Sequence, residues 1–186
     1  SERFAEALRP AHIAISLSGE PTLYSHLPEL IDLLKTQGFT TFLVSNGTNP
    51  DVISQCFPFQ TYISLPAPDQ ETYLSICRPS ADYWDRICRS LTLLSTRRSA
   101  VRVTLVRGLN DHSPEKYAAL FEKSNARYVE IKGYMYLGYS RKRLNREHMP
   151  DHAYIKEFAE RIAEYCDYRI TNENAPSRVI LLENTA

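Results

Sequence analysis

The sequence predicts an α/β fold, with a parallel sheet of five strands alternating with helices and curled into a partial barrel. Three observations carry this. Strand-like and helix-like segments alternate five times along 186 residues, the signature of consecutive β-α units joined by right-handed crossovers. The strands are not apolar throughout, as strands buried on both faces of a flat sheet would be. Alternate positions of each strand are polar or charged, and those side chains must face something wet or charged.

The elements follow in order. Residues 11–18 (AHIAISLS) read as a strand, and 28–37 (PELIDLLKTQ) as a helix with Leu30, Ile31, Leu33 and Leu34 at helical spacing, stopped at Gly38. TTFLVSNG (40–47) is a strand ending in a turn, NPDVISQCF a short helix, and TYISLPAP (61–68) a strand closed by prolines. Asp69 is expected to cap a short helix, and Ser80 a longer one bearing Tyr83, Trp84, Ile87, Cys88, Leu91 and Leu94 as an apolar stripe. AVRVTLVRG (100–108) is a strand. Ser113, Pro114 and Glu115 then supply an N-cap, a first-turn proline and a first-turn acid for a helix to about Lys123. YVEIKGYMYL (128–137) is a strand, Asp151 caps a helix to about Cys166, and YRIT and RVILLE close the chain. No linker or low-complexity stretch interrupts residues 1–186, which are read as one domain.

Every second strand residue gives two sets. The apolar set is Ile13, Ile15, Leu17, Leu43, Ile63, Leu65, Val101, Val103, Leu105, Val129 and Ile131. The polar set is Ser16, Ser18, Asn46, Ser64, Arg102, Thr104, Glu130, Lys132 and Tyr134. The first must meet the helices. The second must converge on a lumen, with the site at the C-terminal ends of the strands.

Composition excludes several classes. The 22 basic and 22 acidic residues balance, so only a local cluster could attract nucleic acid. No apolar run approaches the roughly 20 residues that span a bilayer. The cysteines (Cys56, Cys77, Cys88, Cys166) show no CxxC or CxxxC spacing and sit among apolar neighbours, as small core residues in a reduced, cytoplasmic setting do. The five histidines show no metal spacing.

One turn carries chemistry. Gly19, Glu20 and Pro21 follow the first strand: the glycine permits close approach to the backbone, the proline fixes the exit, and the carboxylate is placed to hold a ligand's ammonium group. The alternative is an acid that merely favours a helix N-terminus. Further on, residues 139–148 (YSRKRLNREH) hold Arg141, Lys142, Arg143 and Arg146 against one acid, with Tyr136 and Tyr139 adjacent. Cations for phosphates beside aromatic rings for splayed bases are how single-stranded RNA is held, although a solvated basic loop has the same charge.

SLSGEPTLY, FLVSNGT, YISLPAPDQETYLSICRP, VRVTLVRGLN, EIKGYMYLGYSRKRL and EHMP, in this order from about residue 11, resemble the radical S-adenosylmethionine (SAM) enzymes of wybutosine biosynthesis, the archaeal-type 4-demethylwyosine synthases. The resemblance implies a partial (β/α) TIM-type barrel of the radical SAM kind, missing its first β-α unit. It implies a cytoplasmic monomer that joins pyruvate-derived carbons to N1-methylguanosine next to the anticodon of tRNA-Phe, using SAM and a [4Fe–4S] cluster. By the same resemblance Gly19, Glu20 and Pro21 hold the methionyl ammonium, Asn46 and Ser64 lie near the cofactor's ribose and carboxylate, and Thr104 lines the same pocket; for Ser64 and Thr104 the alternative is a hydroxyl satisfied by nearby backbone. Arg78, in the ICRP turn, is placed to reach a carboxylate, a surface ion pair being the alternative. Lys132 and Tyr134 face the substrate, and Lys132 is a candidate for imine formation with the keto acid, an ion pair in the neighbourhood of Glu130 and Arg102 being the alternative. Tyr136, Tyr139, Arg141, Lys142, Arg143 and Arg146 would meet the tRNA.

Two departures from the family pattern stand out. Pro66 replaces an acid in SLPAP, and the CxxxCxxC that ligates the cluster is absent from these residues, so it is expected upstream of Ser1 and the chain alone is expected to be inactive. Three rivals remain: a radical SAM enzyme with another substrate, a non-catalytic tRNA-binding barrel, and an aldolase-type barrel using Lys132.

Overall fold

The computed structural model describes residues 2–16 and 19–186. A short helix α1 (Glu2–Ala7), which the hydrophobic pattern does not announce, precedes β1 (His12–Ile15). The alternation then runs α2 (Leu27–Thr36), β2 (Thr40–Ser45), α3 (Pro50–Gln55), β3 (Gln60–Ser64), α4 (Gln70–Cys77), α5 (Trp84–Thr92), β4 (Ser99–Leu105), α6 (Pro114–Ser124), β5 (Tyr128–Gly133), α7 (His152–Ala163), β6 (Tyr168–Asn174) and β7 (Val179–Asn184). The sheet order is β1-β2-β3-β4-β5-β7-β6. Strands β1 to β5 are parallel, with Ile13 beside Thr41, Ile63 beside Val101 and Val101 beside Val129. The last two strands form an antiparallel hairpin whose β7 pairs with β5. The predicted run of β-α units is therefore present, with one added hairpin closing it.

The helix-facing residues fill the core as expected. Ile63, Leu65, Val101, Val103, Leu105, Val129 and Ile131 are buried against helix residues that include Leu91, Phe121 and Ile155. A smaller cluster, Leu27, Ile31, Leu43 and Cys56, lies under α2. Truncating any of these to alanine costs roughly 2–5 kcal/mol. The opposite face bears Arg102, Thr104, Glu130 and Lys132, none of them buried. On β2 that face is apolar, with Phe42 and Val44, while Thr41 and Ser45 are buried on the helix side. Leu17 and Ser18, expected on opposite faces, lie outside the described residues.

Three local expectations are corrected. Ser80 does not cap α5: the helix begins at Trp84, whose N–H is taken by the Asp82 carboxylate at 2.9 Å. Ser113 precedes α6 but makes no side-chain cap. Its backbone is left-handed (φ 51°) and its hydroxyl meets His112 Nδ1 at 3.1 Å. Tyr134 does not face the lumen as a polar group. The strand ends at Gly133, so its two-residue period no longer applies, and Tyr134 is 7% exposed. The caps at Asp69 and Asp151 are as expected, accepting Thr72 N–H at 2.9 Å and Tyr154 N–H at 2.8 Å. No helix among the described residues is long and apolar enough to cross a membrane.

Candidate active site

The turn after β1 is held by its own acid. Gly19 has φ 79°, a conformation that suits glycine. Pro21 opens a single 3-10 turn (Pro21–Leu23) for which Glu20 is the N-cap. Glu20 Oε1 accepts Thr22 N–H at 3.2 Å, Thr22 Oγ1 at 2.8 Å and Ser45 Oγ at 2.7 Å, while Oε2 accepts Asn46 N–H at 2.8 Å. The carboxylate thus staples the end of β1 to the end of β2. A carboxylate offers about four lone-pair directions, two per oxygen. Oε1 is saturated, Oε2 has one direction left, and Glu20 lines a cavity. Of the two sequence readings of Glu20, the structure shows the cap of a turn.

The tip of β2 is fixed from behind. Ser45 Oγ accepts Gly47 N–H at 3.1 Å, and the Gly47 carbonyl accepts Ser90 Oγ of α5 at 2.7 Å. Gly47 has φ 77°, and a Cβ there would stand 3.1 Å from Ile63 Cγ2. Asn46 spends its carbonyl oxygen on Thr48 N–H and Oγ1, at 2.9 and 2.7 Å, which turns its amide NH2 outward as a donor.

A matching staple joins the ends of β3 and β4. Asn110 is 1% exposed; its Oδ1 accepts Val106 N–H at 2.7 Å and its Nδ2 donates to the carbonyls of Pro66 and Thr104 at 2.8 and 2.9 Å. The Pro66 carbonyl is thus a backbone acceptor that Asn110 uses.

Between these staples lies a cavity of about 620 Å3, within the range of small-molecule sites. Glu20, Asn46 and Ser64 line it from the strand tips; Tyr73 and Cys77 of α4 and Arg86 of α5 are among the residues across from them. The structure thus brings together three predicted cofactor residues. Burial pushes the Cys77 thiol above its ordinary value, so it stays protonated as part of the wall. Cys56 is pushed up to about 11 for the same reason, against the opposing charge of Arg97.

Other predicted residues lie elsewhere. Arg78 ends α4 and opens into a second cavity of about 460 Å3, with Tyr134, Tyr139 and Arg143. Thr104 is exposed on the open sheet face, beside Lys132 in register, and neither lines either cavity. Arg102 and Glu130 pair with each other (Nη2 to Oε2, 3.2 Å), and the guanidinium lies 4.7 Å from the centre of the Tyr62 ring. Lys132 makes no ion pair among the described residues. Arg141 stacks on Tyr136 at 5.3 Å and Lys142 on Tyr139 at 4.8 Å, so the basic loop presents cation–aromatic pairs. Arg146 is exposed in the same loop. Sequence reasoning missed Ser45, Asn110 and Ser90: each is a small polar residue inside an apolar setting, and that mismatch was the available signal.

The residues present fit one of the two groups implied by the motifs. A cavity with an unfilled carboxylate lone pair, an amide donor and a hydroxyl suits an amino-acid-bearing nucleoside. The cluster is different: no three His, Cys, Asp or Glu converge among the described residues, and the four cysteines lie apart.

Comparison with known proteins places the chain in a family. The family model for the radical SAM superfamily matches residues 2–121, and that for wyosine base formation matches 123–184. The chain is 45% identical over 184 residues to the SAM-dependent tRNA 4-demethylwyosine synthase of Methanocaldococcus jannaschii and 47% identical over 190 to that of Pyrococcus horikoshii. These alignments cover 98% and 97% of this chain but 59% and 56% of those proteins, so the chain spans somewhat over half their length. A solved structure of TYW1 with a lysine–pyruvate adduct bound superposes with a TM-score of 0.92 at 43% identity, over 99% of this chain and 60% of that one. A crystal structure of archaeal TYW1 gives 0.84 at 40%, over 98% and 60%. A domain of pyruvate-formate lyase-activating enzyme from Bacteroides vulgatus, at 14% identity and a TM-score of 0.60 over 82% of this chain and 93% of that one, shares the fold alone. With nearly two thirds of its length under one family model, this chain belongs to the radical SAM superfamily, where it is homologous to the tRNA 4-demethylwyosine synthases.

Proposed function

We propose that the natural protein is a tRNA-modifying synthase that joins pyruvate-derived carbons to N1-methylguanosine beside the anticodon of tRNA-Phe, giving 4-demethylwyosine, and that it works in the cytoplasm as a monomer. The observation that carries this reading is the Glu20 staple: a carboxylate held by four hydrogen bonds, with one lone pair left at the wall of a nucleoside-sized cavity. Identity of 45% and 47% to named synthases, over nearly all of this chain and somewhat over half of theirs, supports the reaction class.

Superfamily membership brings SAM and a [4Fe–4S] cluster, which together supply a radical when bound. This chain's residues do the positioning. Glu20 Oε2 accepts from the ammonium of the amino-acid moiety, and the free amide of Asn46 and the hydroxyl of Ser64 donate to oxygens of the same molecule. Gly19 lets that molecule approach the turn, and Pro21 holds the turn's exit. Thr104 and Lys132, side by side on the open face, meet the substrate side, where the Lys132 ammonium attracts the carboxylate of the keto acid. An imine-forming lysine needs an unprotonated amine, which burial in apolar surroundings favours. Lys132 is exposed and has no such surroundings, which supports a charge-pairing role over a covalent one.

The test is reconstitution of the natural full-length protein with its cluster, SAM, a reductant, pyruvate and tRNA-Phe bearing N1-methylguanosine, followed by mass spectrometry of the digested nucleosides. The expected product is the tricyclic nucleoside. tRNA binding without that product would return the non-catalytic barrel, and SAM cleavage without it would return a radical SAM enzyme with another substrate. Borohydride trapping with labelled pyruvate is expected to leave the Lys132→Ala protein labelled; loss of the label would make Lys132 the imine-forming residue.

A further inference from the structure

The second cavity gathers residues that the motifs assign separately, Arg78 to the cofactor and Tyr139 and Arg143 to the tRNA, and no ligand has so far been placed in it. It lies between the C-terminal end of α4, the exit of β4 and the loop after β5, and encloses about 460 Å3. Its lining holds Arg78, Arg143 and His148 and no carboxylate. Its floor is ordered: buried Tyr134 meets Ser140 Oγ at 2.9 Å, and Ser140 in turn donates to the Leu137 carbonyl at 2.6 Å. Arg143 is tied across the opening by a hydrogen bond to the Ile76 carbonyl in the last turn of α4. Tyr139, at the rim, is 74% exposed and carries Lys142 4.8 Å from its ring centre, leaving a second face for another ring.

Arg78 gives the strongest argument. It occupies the left-handed region (φ 47°, ψ 55°) at the end of α4, where its N–H reaches the Leu74 carbonyl at 3.1 Å. Glycine or asparagine is the ordinary residue there, and an arginine carries steric strain. Pro79 follows, which itself pushes residue 78 toward extended backbone. The backbone gains nothing from arginine at this position, so the reason for it lies in the side chain, which opens into this cavity.

We propose that the second cavity takes one splayed nucleotide of single-stranded RNA, distinct from the base that reacts, with its phosphate on the guanidiniums of Arg78 and Arg143 and its base stacked on Tyr139. The inference rests on the reading of the substrate as RNA. It moves Arg78 from a cofactor carboxylate to a substrate phosphate. Two guanidiniums lining one opening suit a phosphate, and an exposed tyrosine face suits any base, so the site adds grip without requiring a particular sequence.

Arg78→Gly separates side chain from backbone, because glycine is the better residue for that conformation. In the natural full-length protein this variant is expected to melt at or above the wild-type temperature. Its affinity for tRNA-Phe should fall roughly tenfold at low salt, and the slope of log affinity against log salt should drop by about 1. Tyr139→Leu should weaken the RNA by roughly five- to a hundredfold, with Tyr139→Phe restoring it. Unchanged RNA affinity and salt slope in Arg78→Gly overturn the proposal while leaving the synthase reading intact. A wild type without RNA affinity overturns both. A loss of SAM affinity with RNA affinity retained returns Arg78 to the cofactor. A mononucleotide or inorganic phosphate, titrated alone, that binds in an Arg78-dependent way while RNA binding does not depend on Arg78 assigns the cavity to a free anion and also overturns the proposal.

Discussion

Replacing Glu20 by glutamine tests whether the staple and the ligand contact are separable. The side chain keeps its size and loses its charge. Its carbonyl can turn toward Asn46 N–H, now 2.8 Å from Oε2, while the new amide donates to the hydroxyls of Thr22 and Ser45, which can rotate to accept. Thr22 N–H, at 3.2 Å, loses its acceptor, and the two hydroxyls, turned to accept, no longer have residue 20 as an acceptor for their own O–H. The stability cost is therefore about 1–3 kcal/mol, a fall in Tm of roughly 2–10 °C for a domain of this size. The ligand contact fares worse. A hydrogen bond to a charged group contributes about 1.5–3 kcal/mol, or roughly 10- to 150-fold in affinity, and the half-buried position of Glu20 favours the lower end. The assay is SAM affinity by equilibrium dialysis on the cluster-loaded, natural full-length protein, beside its thermal melt. Ser45→Ala is the comparison: it removes a 2.7 Å hydrogen bond from Oε1 and leaves the charge, so it should cost more in stability than in affinity. If Glu20→Gln melts a few degrees lower and binds SAM within twofold of wild type, the carboxylate is a staple and nothing more.

Two further outcomes follow from the cap of α4 and the turn after β2. Hydrogen bonds from Lys116 and from Thr72 outweigh the burial that would raise the Asp69 carboxyl and hold it at about 2, below its ordinary value. This contribution to stability is therefore complete above about pH 4 and is lost as pH falls toward 2. In denaturant melts the advantage of wild type over Asp69→Asn should fade between pH 5 and pH 2; a constant gap would mean that the cap, not the charge, supplies it. Gly47→Ala would force φ 77° on a residue with a Cβ and place that atom 3.1 Å from Ile63 Cγ2, a cost of roughly 2–4 kcal/mol in thermal or chemical melts. A loss below 1 kcal/mol would show that the turn can relax.

The sequence carried the β-α alternation and the helix-facing core because both are periodic, and period survives without knowledge of partners. It also carried the caps at Asp69 and Asp151, whose bonds reach only three residues along the chain. Inference failed where the chain stopped obeying a period. Tyr134 sits one residue past the end of β5, and the parity that assigns Lys132 to the open face no longer applies to it. Ser80 had the right residue type for a cap, but Asp82 lies nearer the helix and is the stronger acceptor. The antiparallel placement of β6 and β7 depends on a turn and on the free edge of β5, neither visible as a pattern in YRIT or RVILLE. Of the candidate site, Gly19-Glu20-Pro21 was legible because glycine and proline mark a constrained turn around an acid. Ser45 and Asn110 were not, because their partners stand 25 and 44 residues away.

Those two residues explain how the cavity keeps its shape before any ligand enters. On one side a relay runs from Glu20 through Ser45 and Gly47 to Ser90 on α5; on the other, Asn110 ties the exits of β3 and β4. Ser45, Ser90 and Asn110 are neutral and buried; Ser45 bonds a carboxylate and a backbone N–H, while Ser90 and Asn110 bond backbone groups alone. A buried polar group left unpaired costs about 1–3 kcal/mol, so neither staple can open without a penalty larger than thermal energy. Charge is concentrated instead at Glu20, the member of the relay that keeps a free lone pair. The strand tips are thus preorganised by neutral bonds, and the single carboxylate need not be reoriented to meet a cation. A ligand that pulled Glu20 away from Ser45 would also disturb Gly47 and, through Ser90, the α5 wall of the same cavity, so tight binding requires a ligand that fits the staple as it stands.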